Sequence, residues 1–254
     1  MRTKEVDVVL LCGGLGKRLR SLISDRPKSM ALISGRPFLD IIIDYVVGFG
    51  FRRIILAIGY MADIIKQAYE KKRESYEIIF SEEKELLGTA GALKHAESLI
   101  KSPVFLVMNG DSLCKFDLND FLNFHFSKNA MVSLALASGQ GTKDVALAMR
   151  SQTTALWPVG VARIDKAGRI REFSEKKEEV NEQDLVNAGI YLFNAQVLTL
   201  IPENINFSLE KDLFPVLDKC YGYITNNTLI DIGTPEGYQR AKQILGQSEN
   251  ISLL

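Results

Sequence analysis

The sequence predicts an α/β fold built on a mainly parallel, doubly wound sheet. Two observations support this prediction: strand and helix patterns alternate through the N-terminal half, and the first strand pattern is apolar on both faces. Such an order places helices on both faces of the sheet through right-handed crossovers. Ligands bind these sheets outside the carboxyl ends of the strands, which directs attention to the loops at 12–20, 82–88 and 109–112.

The N-terminal half, about residues 1–137, carries the alternation. Apolar and β-branched runs predict strands at 6–11, 53–58, 76–80, 103–108 and 131–137. Apolar residues at helical spacing predict helices at 37–48, 62–72, 89–100 and 117–127. The first of these helices is predicted to begin at Pro37 and to end at Gly48, residues that are typical of those two positions.

The C-terminal half, about residues 138–254, changes towards antiparallel strands. Strands are predicted at 159–165, 170–173, 186–193 and 228–232, and the segment 166–169 predicts a hairpin turn between the first two. Helices are predicted at 208–220, with Ser208 as its N-cap, and at 235–245. Residues 139–158 follow neither period, and we expect them to form either a loop over the site or a partner surface. With no linker and no repeat, we expect one domain over residues 1–254.

Composition and charge exclude several function classes. The 254 residues include 31 Lys and Arg against 31 Asp and Glu, so the formal net charge is zero and neither nucleic acid nor a membrane surface is an expected partner. No run is long enough to span a bilayer, and the apolar run before Gly13 is too short for a signal peptide. The three cysteines are widely spaced and odd in number, which is typical of reduced thiols. We therefore expect a cytoplasmic protein.

Glycines directly after the first strand predict a phosphate-binding loop. Gly13, Gly14 and Gly16 would let backbone N–H groups surround an anion. Charged donors suited to phosphate oxygens lie in or near this loop at Lys17, Arg18, Arg20 and Lys28. The spacing fits neither a Walker A loop nor the dinucleotide-binding glycine motif. The alternative is an ordinary glycine turn with a solvated basic face.

Two aspartates predict a metal site. Asp111 follows a buried strand, and Asp231 lies in a later strand. One or two carboxylates, together with substrate phosphates, are the ligands that Mg²⁺ commonly takes in proteins. The alternative is that each aspartate only caps the turn that follows it.

Six short motifs run in order along almost the whole chain: LCGGLGKRL with RPK, ELLGTAGAL, NGD, FSEK, NAGIYLF and IDIGTPEGY. Together they resemble the sugar-phosphate nucleotidyltransferases, also called nucleotide-sugar pyrophosphorylases. The resemblance implies a Rossmann-like α/β/α sandwich with a mainly parallel, mixed central sheet. It also implies a reaction in which an NTP and a sugar 1-phosphate give an NDP-sugar and pyrophosphate. In-line attack on the α-phosphorus needs no covalent intermediate, so catalysis consists of aligning and neutralising two anions.

The resemblance also implies roles for individual residues. Arg18 and Lys28 are expected to be catalytic, and Asp111 and Asp231 to hold Mg²⁺. Nucleotide binding is expected of Leu11, Gly13, Gly14, Gly16, Lys17, Glu85, Gly88 and Thr89. Sugar-phosphate binding is expected of Asn109, Gly110, Glu175, Lys176, Asn187 and Gly189. The chain departs from the common family pattern at Cys12, Lys17 and Ser29, where Ala, Thr or Ser, and Pro are more usual.

Finer features of the sequence indicate which nucleotide base and which sugar 1-phosphate the protein uses. Guanine presents two adjacent donors, N1–H and N2–H₂, which one carboxylate can accept. Glu85 stands where guanylyltransferase-like members carry Glu and where thymidylyl- and uridylyltransferases often carry Gln, which favours GTP. The alternative is that Glu85 is one of three surface acids between 82 and 85. Within the family, the chain resembles the D-glycero-α-D-manno-heptose 1-phosphate guanylyltransferases, with mannose 1-phosphate or another hexose 1-phosphate as the alternative acceptor.

Two other function classes stay open. A metal-dependent glycosyltransferase shares the nucleotide-binding half, but it usually carries a second Asp two residues after the first, where this chain has Leu113. An inactive nucleotide-sugar-binding homologue would not need the whole set of predicted catalytic residues. A homo-oligomer is possible, and no appended β-helix domain is expected after the last helix.

Overall fold

Thirteen strands and five helices occur in the part of the chain that this computed structural model describes, residues 2–71, 74–138, 159–177 and 184–246. The strands are β1 (Asp7–Leu11), β2 (Leu32–Ile33), β3 (Arg36–Pro37), β4 (Arg53–Ile58), β5 (Glu77–Glu82), β6 (Val104–Asn109), β7 (Ser112–Cys114), β8 (Val132–Ala137), β9 (Val159–Ile164), β10 (Ile170–Lys177), β11 (Leu185–Asn194), β12 (Cys220–Thr225) and β13 (Leu229–Asp231). The helices are α1 (Phe38–Gly48), α2 (Ala62–Tyr69), α3 (Gly88–His95), α4 (Leu118–Ser127) and α5 (Pro235–Gly246).

Nine of the described strands form one mixed central sheet. Its main path runs β10-β9-β11-β6-β1-β4-β5, and β8 and β12 extend the sheet from the other edge of β11. The pairs β5–β4, β4–β1, β1–β6 and β8–β12 are parallel, whereas β11 is antiparallel to β6, β8 and β9. The pairing of β6 with β11 therefore joins the two halves of the chain.

Both faces of the sheet are covered, as the expected α/β/α sandwich requires. Successive residues of β1 point to opposite faces, and Val8, Val9 and Leu10 are all fully buried. Val8 and Leu10 belong to an apolar cluster with α1, α2, α4 and α5. Val9 belongs to a second cluster with α3 and with apolar residues between 197 and 214. The predicted Rossmann-like fold class is confirmed.

The predicted helix at 208–220 is wrong beyond its first turns. Ser208 does cap it, since its hydroxyl accepts the N–H groups of Glu210 and Lys211. A single π-helical turn over Leu209–Leu213 then gives way to a 3₁₀ turn, and strand β12 begins at Cys220. Pro215 lies inside this segment and cannot donate a backbone hydrogen bond, which breaks a regular helix.

Smaller differences concern the lengths of elements. Strand β5 ends at Glu82, two residues later than predicted, and α3 ends at His95, before a separate 3₁₀ turn over Glu97–Leu99. The short strands β2, β3 and β7 were not expected from the sequence. The predicted hairpin between β9 and β10 is confirmed. The tract 139–158 lies outside the described residues.

A second, two-stranded sheet positions the later aspartate. β7 directly follows the end of β6 and pairs antiparallel with β13, so that Asp231 lies opposite Ser112. The N–H group of Ile232 also donates to the carbonyl of Asp111, at 2.9 Å. Two segments that are far apart in the sequence therefore meet at the carboxyl end of β6.

The described residues also bear on two expectations from composition. The cysteines Cys12, Cys114 and Cys220 are free and buried, as expected for reduced thiols. None of the helices in the described ranges is both long and apolar enough to cross a membrane.

Candidate active site

A cavity of about 370 Å³ opens at the carboxyl ends of β1 and β6. Its lining includes nine of the residues expected to bind substrate or metal, namely Leu11, Gly13, Gly14, Lys28, Gly88, Thr89, Asn109, Gly110 and Asp111. The other lining residues are Cys12, Leu15, Ser29, Ala57, Glu83, Leu86, Ala92 and Asn206. The volume is within the range of small-ligand sites. Members of the expected nucleotide, metal and sugar-phosphate sets therefore share one cavity, although Asp231, Asn187 and Gly189 are not part of its lining.

Steric constraints account for two of the glycines in the loop. A Cβ at Gly13 would lie 2.5 Å from the carboxylate of Glu83, so any side chain there would displace that group. Gly16 has a left-handed φ of 58°, and a Cβ there would be 3.2 Å from the Cβ of Lys28. A Cβ at Gly14 would meet no atom within 4 Å, so this stretch of backbone faces open space. The loop therefore offers an approachable backbone beside Lys28.

The cations of the loop lie in different places. Arg18 is exposed, and its Nη2 atom is 3.6 Å from the position of a Cβ on Gly233, which places it beside the Asp231 turn. The guanidinium group of Arg20 stacks over the ring of Tyr60, 4.5 Å from its centroid. Lys17 is exposed. The structure therefore brings Arg18 to the acid pair and leaves Lys17 and Arg20 at the rim.

Lys28 is the charged residue at the centre of the site. It begins a 3₁₀ turn, and its ammonium group forms an ion pair with Asp111. Burial lowers the pKa of Lys28, but the negative charges of Asp111 and Asp231 outweigh this effect and raise it overall. Lys28 is therefore a fixed positive charge between the glycine loop and the two aspartates.

The two aspartates share one electrostatic environment. Burial and the charge of Asp111 raise the pKa of Asp231 to about 6, although Lys28, the N–H group of Gly233 and Arg18 act in the opposite direction. Two neighbouring carboxylates that repel each other need a cation between them. Lys28 provides that positive charge in this structure.

This donor set fits Mg²⁺ better than a transition metal. Within the described ranges, no group of three or more His, Cys, Asp or Glu side chains could hold a metal ion. Asp111 and Asp231 are a pair of hard oxygen donors next to an anion-binding loop. Mg²⁺ commonly takes one or two carboxylates and completes its coordination with water and substrate phosphates.

Glu83, rather than Glu85, lies in the cavity. Glu85 is exposed and does not contribute to the lining, whereas Glu83 is half-buried and faces Gly13. Its Oε2 atom accepts the N–H group of Leu87 at 3.2 Å, and burial raises the pKa of its carboxyl group. Sequence reasoning missed this residue because it took Glu85 from the family pattern and counted Glu83 only among the surface acids between 82 and 85. The available signal was that Glu83 is the first residue after β5.

The sugar-phosphate residues on β11 meet the end of β6. Asn187 and Gly189 lie in a bulge of β11, and Gly189 has a left-handed φ of 70°. A Cβ at Gly189 would lie 2.6 Å from Nδ2 of Asn109 and 2.7 Å from Oγ of Ser112. Only glycine allows this close approach, which places Gly189, in the bulge that also contains Asn187, against Asn109 and Ser112.

Two expected sugar-phosphate residues stay predictions. Glu175 and Lys176 lie in β10, between Ser174 and Lys177, where the pairing with β9 shifts register. Their side chains lie outside what the structure describes. The sequence also gave no signal for Asn206, which lines the cavity and donates through its amide to the carbonyl of Leu86 at 2.9 Å.

Comparisons with known proteins give the family. The family model described as nucleotidyl transferase matches residues 7–248. The chain is 32% identical over 243 residues to the D-glycero-α-D-manno-heptose 1-phosphate guanylyltransferase of Aneurinibacillus thermoaerophilus, with 94% of this chain and 98% of that protein covered. It is 31% identical over 246 residues to the mannose-1-phosphate guanylyltransferase of Mycobacterium tuberculosis, with 94% of this chain and 64% of that protein covered.

A solved structure supports the same family assignment. HddC from Yersinia pseudotuberculosis is 30% identical, with a TM-score of 0.79 over 94% of this chain and 99% of that one, and it has also been solved in complex with GMP-PN. The mixed central sheet of this chain is in keeping with these matches. The chain therefore belongs to the nucleotidyl transferase family.

Proposed function

We propose that this protein transfers the guanylyl group of GTP to a sugar 1-phosphate and releases pyrophosphate. D-glycero-α-D-manno-heptose 1-phosphate is the favoured acceptor, and mannose 1-phosphate is the alternative. The observation that carries the proposal is the single cavity in which the glycine loop, Lys28 and Asp111 meet. The guanylyltransferase relatives, and the HddC structure with GMP-PN, support guanine as the base.

The reaction is a nucleotidyl transfer, which the protein promotes by aligning the two substrates and neutralising their negative charges. The glycine loop binds the phosphates of GTP through its backbone, and Arg18 and Lys28 neutralise them. The sugar phosphate oxygen then attacks the α-phosphorus, the bond to the β-phosphate breaks, and pyrophosphate leaves with the electron pair. Mg²⁺ held by Asp111 and Asp231 would neutralise further phosphate charge. Lys28 lies where both anions must approach, so its charge counteracts their mutual repulsion.

Glu83 is the residue that we assign to the guanine base. Its carboxylate lies in the cavity over Gly13, whereas Glu85 is exposed outside it. A carboxylate is an acceptor at both oxygens and suits the adjacent N1–H and N2–H₂ donors of guanine. Leu86 contributes an exposed apolar surface in the same cavity, against which a purine ring can pack.

The sugar phosphate is assigned to the opposite side of the cavity. Asn109 and Gly110 line it, Gly189 lies directly beside Asn109, and Asn187 accepts the N–H group of Gly189. We assign Glu175 to the sugar and Lys176 to its phosphate. Both assignments rest on the FSEK motif.

The experiment that tests this function is a grid of nucleotides against sugar 1-phosphates. GTP, ATP, UTP, CTP and dTTP are each combined with D-glycero-α-D-manno-heptose, mannose and glucose 1-phosphates, and pyrophosphate release is measured. We expect release with GTP and one of the first two acceptors. Preference for UTP, CTP or dTTP would contradict the guanylyl assignment. No release with any pair would favour a glycosyltransferase or an inactive homologue.

A further inference from the structure

One carboxylate outside the motifs discussed above bonds both to Thr89, which lines the cavity, and to Tyr191, which lies behind the sugar-phosphate residues on β11. Glu210 lies on the π-helical turn Leu209–Leu213 and is half-buried. Its Oε2 atom accepts hydrogen bonds from the hydroxyl groups of Thr89, at 3.1 Å, and Ser208, at 3.0 Å. Its Oε1 atom accepts from the hydroxyl group of Tyr191, at 3.3 Å. Single π-helical turns occur frequently at functional sites, and here the turn directs one acid at three hydroxyl donors.

We call the hydrogen bonds that join Glu210 to Thr89, Ser208 and Tyr191 the Glu210 array. Through Thr89, this array reaches the nucleotide side of the cavity. Thr89 is the second residue of α3 and lines the cavity. Its hydroxyl group donates to Glu210 and accepts the N–H group of Leu209 at 2.8 Å. A hydroxyl group whose one proton and one acceptor site are both engaged is fixed in orientation. The position of the Thr89 side chain therefore depends on Glu210.

Through Tyr191, the Glu210 array reaches Asn187, one of the residues assigned to the sugar phosphate. Tyr191 is fully buried, and its hydroxyl group donates to Glu210 while accepting from the amide of Asn187 at 2.8 Å. The side-chain carbonyl of Asn187 accepts the N–H group of Gly189 at 3.1 Å, in the bulge that touches Asn109. A buried tyrosine hydroxyl needs a partner, and Glu210 is the acceptor for its proton.

We propose that Glu210 is a positioning residue that holds the two substrate-binding sides in register. It fixes Thr89 on the nucleotide side and, through Tyr191, Asn187 on the sugar-phosphate side. Among the described residues, Thr89 and Tyr191 share no hydrogen bond with each other, so coupling between them passes through Glu210. This inference rests on the proposed function, since it assigns Glu210 to alignment of the two substrates of that reaction.

The array itself is tested without any substrate. Hydrogen exchange of the N–H groups of Gly189 and Leu209 is compared in the wild type, in Glu210→Gln and in Glu203→Gln. Glu203 is an exposed acid that precedes the same turn, which makes it the matched control. We expect exchange at both N–H groups to be several-fold faster in Glu210→Gln and unchanged in Glu203→Gln. Unchanged exchange in Glu210→Gln would show that Glu210 does not hold Thr89 and Asn187 in place.

The positioning role is tested by kinetics. In Glu210→Gln we expect KM for the sugar 1-phosphate to rise about tenfold, which corresponds to about 1.4 kcal/mol, with an unfolding midpoint close to that of Glu203→Gln. We also expect Thr89→Val and Tyr191→Phe to have non-additive effects on kcat/KM in the wild type and additive effects in the Glu210→Gln background.

Four results separate failure of the positioning role from failure of the proposed function. Additive effects in the wild-type background would overturn the positioning role, and so would Glu210→Gln kinetics equal to those of Glu203→Gln. Unchanged exchange together with normal pyrophosphate release would overturn the positioning role and leave the proposed function standing. A wild-type protein that releases no pyrophosphate from any substrate pair would overturn the proposed function and, with it, this role for Glu210.

Discussion

Lys28 is the residue on which the proposed catalysis most depends. Its ammonium group is paired with Asp111, its Cβ lies against Gly16 of the phosphate loop, and it lines the cavity. Removing one preorganised electrostatic donor typically lowers turnover by about 10²–10³. We expect Lys28→Met to lose activity to this extent while Lys17→Met, at the exposed rim, loses much less. Near-normal kcat in Lys28→Met would contradict the mechanism.

The same ion pair predicts how a divalent cation binds in the absence of nucleotide. The Lys28 ammonium group already neutralises Asp111 and attracts Asp231, so a cation at the two carboxylates has to displace it. Lys28→Met should therefore bind Mn²⁺ without nucleotide about tenfold more tightly than the wild type, or about 1.4 kcal/mol. Titration followed by electron paramagnetic resonance measures this. Equal or weaker binding in Lys28→Met would show that Lys28 does not compete with the metal ion.

Base selectivity distinguishes two acids that are only two residues apart. Glu83 faces the cavity, and Glu85 is exposed. Removing one partner of a charge-assisted hydrogen bond costs about 1.4 kcal/mol or more, so Glu83→Gln should reduce the ratio of kcat/KM for GTP to that for UTP about tenfold or more. Glu85→Gln is the matched control and should leave the ratio unchanged. The reverse outcome would restore the assignment of Glu85 that the sequence favours.

At the scale of elements, the sequence predicted the alternating half well because its strands are buried on both faces and its helices carry one apolar stripe. The predicted helix at 208–220 failed because a strong N-cap at Ser208 is followed by Pro215, and only the tertiary pairing with β8 shows that Cys220 begins a strand. The metal pair was predicted, but its proximity depends on the β7–β13 pairing, for which three-residue strands give little sequence signal.

The packing of α4 on β8 makes stability depend on pH. His125 on α4 is 2% exposed, its Nδ1 atom lies 2.9 Å from the hydroxyl oxygen of Ser133, and burial lowers its pKa to about 4. The unfolded chain, with an ordinary pKa near 6.5, binds this proton more readily. The contribution is therefore complete above pH 6.5 and is lost as the pH falls towards 4.

Urea unfolding at pH 7.5 and pH 5 measures this dependence. At about 1.4 kcal/mol per pH unit, the wild type should lose about 2 kcal/mol through His125 between these values. His125→Gln is expected to be less stable at pH 7.5 but to show a smaller loss, whereas His95→Gln, on α3, should keep the wild-type dependence. An equal loss of stability in His125→Gln and the wild type would exclude His125 as the source.

At the scale of the whole molecule, the fold explains how one cavity could serve both of the proposed substrates. Parallel strands β1 and β6 end side by side, which places the glycine loop next to Asp111. The antiparallel strand β11 then brings Asn187 and Gly189 from the second half of the chain to the same edge. The two halves of the chain therefore meet at one edge of the sheet, where we propose that the α-phosphorus of GTP lies.

The most direct test of this account follows the guanylyl group itself. The purified protein is incubated with GTP labelled at the α-phosphate, with either D-glycero-α-D-manno-heptose 1-phosphate or mannose 1-phosphate, and with Mg²⁺. We predict that the label moves into a guanine nucleotide sugar, that one pyrophosphate is released for each product, and that a chelator, or Asp111→Asn, abolishes the transfer. Label that stays in GTP with both acceptors, or transfer that a chelator does not affect, would contradict the account.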